Sequence, residues 1–238
     1  MSKKTDLEIN DTEIIELKNI LSTRQWLYDF LGKSFYMEPD IDRFREASKT
    51  KIFEQLGEGM EDHNQGIYLL SQFIGNVDNL TKKQIDKLNS EYNRLFIGPG
   101  HVHVPPWESV YLSKEKIIFD EHTLAVREFY KRWKVVTTKI NKEPDDHIGF
   151  ELEFMSILIN KSIRSLGEGS IDEFKNITIG QKEFLDRHPL VWIDEFSNKL
   201  TDNTEEPFYK GIGLFLVEYV KMDRELLEDI ISSFDTLL

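Results

Sequence analysis

Apolar residues along this chain recur at steps of three and four, the period that gathers side chains on one face of an α-helix. The first stripe runs from Thr12 to Leu31 through Ile14, Leu17, Leu21, Tyr28 and Leu31, with Gly32 as its expected stop. Further helices are expected over Asp40–Leu56 (closed by Gly57), Asp62–Ile74 (closed by Gly75) and Asn79–Phe96 (closed by Gly98-Pro99). The segment that follows, residues 98–108 (GPGHVHVPPWE), holds three of the seven prolines and is the longest clear interruption mid-chain.

Helical spacing resumes over Asp120–Trp133. Residues 134–140 (KVVTTKI) carry a β-branched cluster and read as a short extended piece. After Glu143-Pro144 comes a strong helical pattern with Ile148, Leu152, Met155, Leu158 and Ile159 on one face, ended by Gly167 and Gly169. The remaining helices fit Ile171–Arg187, Leu190–Leu200 and Pro207–Leu237, with a hinge loop expected at Thr201–Glu206. Strand patterns are nearly absent, so the fold class expected is all-α, a single bundle of about eight to ten helices. That domain is expected over 12–238 after a flexible N-terminus at 1–11, with a second hinge at 134–143.

Composition narrows the function classes. The chain has 238 residues, 39% of them hydrophobic, which is too apolar for disorder and long enough for one sizeable core. Its net charge of −13 argues against a surface for nucleic acid or anionic lipid, both of which need cations to displace counterions. It suits solubility or a cationic partner. The absence of cysteine removes disulfides, thiolate nucleophiles and Cys-ligated metal. The opening MSKKTDLEINDTEIIELKNI has no apolar run of signal-peptide length, and no stretch is apolar enough for stable membrane insertion. A cytoplasmic protein is the expectation.

Chemistry-bearing motifs are sparse. There is no Walker-type loop, no G-x-G-x-x-G, no G-x-S-x-G and no H-E-x-x-H. His101 and His103 offer two imidazoles without an obvious third ligand, and His147 with Glu151 lacks the spacing of a di-iron bundle. No catalytic residue, metal or cofactor is therefore expected.

Two segments stand out. Glu143-Pro144-Asp145-Asp146-His147 reads either as a helix start, with acids at the positive end of the dipole, or as a carboxylate mouth that takes a guanidinium. His147 there is expected to stay neutral, as a hydrogen-bonding or packing group. In Pro105-Pro106-Trp107-Glu108-Ser109-Val110-Tyr111 two prolines stiffen a strap that holds Trp107. That indole is either a core plug or the aromatic wall of a peptide groove with Glu108 at its rim.

These segments, together with Tyr92-Asn93-Arg94-Leu95-Phe96-Ile97-Gly98-Pro99 and Phe184-Leu185-Asp186-Arg187-His188-Pro189-Leu190-Val191-Trp192, resemble the TorD/DmsD family of chaperones for molybdoenzyme maturation. The likeness extends from about residue 14 to 235 and is densest over 91–160. Within the family it resembles the DMSO-reductase chaperone branch most, departing from it at Tyr92 (commonly Trp), Glu108 (commonly Gly) and Asp145 (commonly Glu). The resemblance implies an all-helical fold that binds the twin-arginine leader of a molybdopterin oxidoreductase catalytic subunit and holds that precursor until cofactor insertion. It implies a monomer or a domain-swapped dimer, and no catalysis.

On that reading Asp145, Asp146 and Glu108 are partners for the paired arginines. Tyr92, Leu95, Phe96, Trp107 and Phe154 wall a groove for the apolar stretch, and Pro105, Ser109, Tyr111 and His147 complete the site. Two other readings compete: a nitrate-reductase-type assembly chaperone with a leaderless client, and a GTP-dependent enzyme. The missing phosphate-cradling loop and the negative charge count against the second.

Overall fold

The computed structural model describes residues 11–59, 64–98, 100, 102–113, 120–136 and 143–236. Among them are eleven α-helices: α1 (Asp11–Tyr36), α2 (Ile41–Thr50), α3 (Ile52–Gly59), α4 (Gln65–Gly75), α5 (Lys82–Tyr92), α6 (Glu108–Leu112), α7 (Glu121–Arg132), α8 (Ile148–Gly167), α9 (Ile171–Arg187), α10 (Ile193–Asp202) and α11 (Pro207–Thr236). The all-α expectation holds. Residues 1–10 of the expected flexible segment 1–11 and most of the 134–143 hinge lie outside the described residues, as does the greater part of the extended piece at 134–140, while Asp11 opens α1.

Helix starts follow local chemistry. Asp40, Asn64 and Asp120 accept backbone N–H groups at the openings of α2, α4 and α7, and Thr81 with Gln84 forms a reciprocal capping box on α5. Helix ends depart from expectation in three places. Gly32 does not stop α1: a Cβ there would meet Gly149 O at 3.0 Å, so this glycine lets α8 approach the middle of α1. The single helix expected over 40–56 is broken at Lys51, whose φ of 56° turns the chain between α2 and α3. The stretch 79–96 divides into a 3₁₀ turn (Val77–Asn79), α5, and a π-helical turn (Asn93–Ile97) that carries the chain into the strap.

α8 is the central helix, packed along α1 on one side and α9 on the other, while α11 lies across α4, α9 and α10. Leu152, Phe154, Met155, Leu158 and Ile159 of α8 are all buried, as its apolar run requires. A buried polar clasp joins four helices. Arg24 of α1 donates to Asp223 of α11 at 2.5 and 2.9 Å and to Gln181 of α9 at 2.8 Å, and Gln181 donates to Ser162 of α8 at 2.8 Å. Late in the chain, the connection after α10 is tied down: Arg94 donates to Asn203 O, and the Thr204 hydroxyl donates to Glu91 Oε1 at 2.7 Å. The hinge expected at Thr201–Glu206 is thus a pinned loop. No helix among the described residues is long and apolar enough to cross a membrane.

Candidate functional site: a clamped strap, a buried acid cluster and an apolar cleft

The two proline-containing segments singled out in the sequence meet in space. Trp107 and His147 form an isolated antiparallel bridge, with Glu108 N donating to Asp146 O at 3.0 Å and Ile148 N to Pro106 O at 2.8 Å. Proline at 105 and 106 keeps the strap extended, so its backbone groups are free to pair with the turn ahead of α8. His147 caps α8: its Nδ1 accepts Gly149 N–H at 3.0 Å, so that nitrogen carries no proton. Its ring packs edge-on against Tyr36 and Trp107. Trp107 is half-buried and donates from Nε1 to Glu143 Oε1 at 2.9 Å. Pro105 is buried, and its carbonyl receives the Tyr111 hydroxyl at 2.8 Å.

The adjacent carboxylates of the turn have separate internal partners. Asp146 is fully buried; Oδ2 accepts Ser109 N–H and Oδ1 accepts the Thr123 hydroxyl, both at 2.8 Å. Asp145 is buried and accepts Arg127 Nε at 2.6 Å. Neither stands at an open mouth, because satisfied buried carboxylates brace the strap and α7 against α8.

Glu108 is not at a rim either. It opens α6 at 1% exposure, 3.1 Å from His188 Nδ1 and 3.8 Å from His122 Nδ1. Glu151, fully buried in the first turn of α8, accepts Trp192 Nε1 on Oε2 at 3.3 Å, and its Oε1 is buried with no hydrogen-bond partner among the described residues. Burial, then the charge of Glu108, pushes the Glu151 carboxyl well above the ordinary range. Burial raises Tyr130, which faces the same acids, in the same direction. Among the described residues no group of three or more His, Asp or Glu side chains is arranged to hold a metal ion; His101 lies outside them and His103 is exposed.

The aromatic and aliphatic candidates divide. Tyr92, Leu95 and Phe96 are core residues around the π-helical turn, with the Tyr92 hydroxyl donating to Phe35 O at 3.4 Å. Buried in this way, they wall no groove. Phe154 does: it lies at the floor of a cleft of about 370 Å³ between α1, α8 and residues 135–136. Tyr36, Met37, Val136, Phe150 and Ile157 complete a largely apolar lining, and Met37 and Val136 are exposed at 49% and 66%. Glu153 and the Asp29–Lys33 pair edge it, and Glu153 has no ion-pair partner among the described residues. Sequence reasoning missed this cleft; its signal was the Gly32/Gly149 approach, which opens a channel beside the contact. The arrangement suits binding of an extended or helical apolar segment.

Comparison with known proteins gives the same direction. The family model described as "Nitrate reductase delta subunit" matches residues 53–198. The chain belongs to that family. Among relatives, it is 28% identical over 195 residues to the "Probable Tat proofreading chaperone DmsD" of Haemophilus influenzae, covering 79% of this chain and 83% of the relative. It is 24% identical over 202 residues to the "Chaperone protein TorD" of Vibrio atlanticus, covering 85% and 91%. A solved structure from Archaeoglobus fulgidus, described as a "Putative Redox Enzyme Maturation Protein", is 21% identical with a TM-score of 0.43 over 86% of this chain and 93% of that one. As a TorD/DmsD-type member of the family, the chain is a chaperone of molybdoenzyme maturation rather than an enzyme.

Proposed function

We propose that this chain acts in the cytoplasm on the catalytic subunit of a molybdopterin oxidoreductase, holding an apolar segment of the precursor in the α1/α8 cleft until cofactor insertion and folding are complete. The observation that carries the reading is the exposed apolar lining of that cleft, with Met37 and Val136 open to solvent beside the clamped strap. A client segment with a basic residue next to its apolar stretch would meet Glu153 at the edge. Calorimetry with a client N-terminal peptide tests this: Met37→Glu with Val136→Glu is expected to weaken binding at least tenfold with the melting temperature unchanged. Equal affinity in the double variant would remove the cleft from the site.

Two client types fit. One is a DMSO-reductase-type precursor with a twin-arginine leader, the reading supported by the likeness to the probable Tat proofreading chaperone of Haemophilus influenzae. The other is a nitrate-reductase-type subunit without a leader. It has the better support, from the family description over residues 53–198 and from Asp145 and Asp146, whose carboxylates already have internal partners. Capture of the precursor from cells with and without its N-terminal leader separates them: capture that survives leader deletion favours the second client, and capture lost with the leader favours the first.

A further inference from the structure

The face of α8 that lines the cleft continues beyond it. Glu153, Ile157, Lys161 and Arg164 follow one another at steps of four, four and three, so they stack along one side of the helix. Glu153 and Ile157 line the cleft, and Lys161 stands one turn past Ile157. Lys161 Nζ donates to Trp133 O at 2.5 Å, which brings the residues that follow Trp133 to the same place. Lys134, with a φ of 56°, turns the chain out of α7, and Val135 and Val136 then form the cleft wall.

Three cations therefore gather at one end of the cleft. Lys134 and Arg164 are exposed, Lys161 is half-buried, and none of the three forms an ion pair among the described residues. Glu173 of α9 acts on Lys161 through space without pairing with it. The negative ends of the α7 and α8 dipoles favour Lys134 and Arg164 where they stand. Those dipoles leave the two side chains without a hydrogen-bond partner among the described residues, in a chain with 43 acidic and 30 basic side chains. Burial, then the charges of Lys134 and Arg164, hold the Lys161 ammonium below its ordinary value, as expected where cations crowd without an acid.

We propose that the segment held in the α1/α8 cleft carries an acidic side chain, which Lys134 and Arg164 receive while a basic group of the same segment lies at Glu153. The inference rests on the cleft as the client site and adds the order of charges along its occupant. Lys161 and Arg164 lie eight and eleven positions after Glu153, roughly 12–17 Å along the helix. A helical occupant would carry its acid about eight to eleven residues from its basic group, and an extended one about four to five. A segment seated the other way round would set like charges together at both ends, so the cleft selects direction as well as composition.

Calorimetry on the full chain with synthetic peptides tests it. Each peptide has one apolar stretch after a lysine, and a variable residue (Glu, Gln or Lys) about four positions on in one set and about nine in the other. In one of the sets the Glu peptide is expected to bind about three- to fivefold tighter than the Gln peptide at low salt, with the Lys peptide weakest. The preference should vanish near ~1 M salt and reverse in Lys134→Glu with Arg164→Glu. Peptides of both sets that bind the native chain alike, yet are all weakened by Met37→Glu with Val136→Glu, overturn the cationic end and leave the cleft standing. Binding that ignores Met37→Glu with Val136→Glu overturns the cleft and this inference with it, as does the absence of binding by every peptide. Inorganic phosphate that binds the native chain more tightly than the Glu peptide assigns the cations to a small anion and overturns the inference. Should Lys134→Glu with Arg164→Glu not fold, equal binding of Glu and Gln peptides by the native chain overturns it equally.

Discussion

The backbone N–H of Ser109 donates to Asp146 Oδ2 at 2.8 Å, joining positions 37 residues apart and holding the strap against the entry of α8. Asp146 Oδ1 meanwhile holds the Thr123 hydroxyl of α7, so one carboxylate fixes two elements to a third. Asp146→Ala leaves two buried donors unpaired and is expected to cost ~2–4 kcal/mol. Thr123→Val should cost less, and the two losses should be non-additive because they share a partner. Denaturant unfolding of the two singles and the double measures this, and additive losses would refute the shared brace.

Gly180 of α9 accepts the Trp133 ring so closely that a Cβ would lie 2.0 Å from Trp133 Cζ2. Gly180→Ala must therefore displace the indole, at ~1–3 kcal/mol for overpacking. Trp133 stands two residues before Val135, at the cleft wall, so client affinity should fall as well. Thermal melts with calorimetry check both effects, and a variant of native stability would show that the ring is not held there.

The Arg24–Asp223 clasp is buried on both sides, at 4% and 1% side-chain exposure. Asp223→Ala leaves the guanidinium without its charge partner and should cost ~3–5 kcal/mol, whereas Arg24→Met with Asp223→Leu should cost less than that single change. Chemical denaturation decides. A double variant weaker than the single would mean the pair contributes net stability beyond avoiding an orphaned charge.

Two carboxyls bend the pH profile of stability in opposite senses. Glu91, bonded first by Arg94 and also by Thr204, is held below its ordinary value of 4.5. Its contribution is present above 4.5 and is lost as the pH falls through the lowered value. Glu151 is raised above 4.5, so its contribution is present below that value and is lost as the pH climbs. Melting temperature followed from acid to alkaline pH should lose its acid limb in Glu91→Gln and its alkaline decline in Glu151→Gln. An unchanged profile in either variant rejects the corresponding assignment.

Helix identity was legible where a cap or a stripe announced it: Asp40 and Asp120 open helices where the pattern placed their starts, and Ile171–Arg187 is α9 to the residue. Gly32 misled because a glycine that ends a helix and one that admits a neighbour look alike until the neighbour is known. Lys51 misled in the other direction, since a left-handed lysine carries no local signal. The site was half legible. Spacing drew attention to the strap and to the acidic turn, but adjacent Asp145 and Asp146 take partners on α7 and α6 that no local pattern reveals. Glu108 was the departure that mattered, and its partner His188 lies 80 positions away along the chain.

The strap's long reach along the chain also sets an order of assembly on the ribosome. Ser109 emerges 37 residues before Asp146, and Glu108 emerges 80 residues before His188. At ~5–20 residues per second the later interval lasts on the order of 4–16 seconds, during which α6 to α9 are still being made. Through that time Glu108 has neither its imidazole nor a closed pocket, and it remains a hydrated side chain on an unanchored segment. Competence for a client therefore arrives late in synthesis, after the N-terminal two-thirds of the chain has had time to collapse without it.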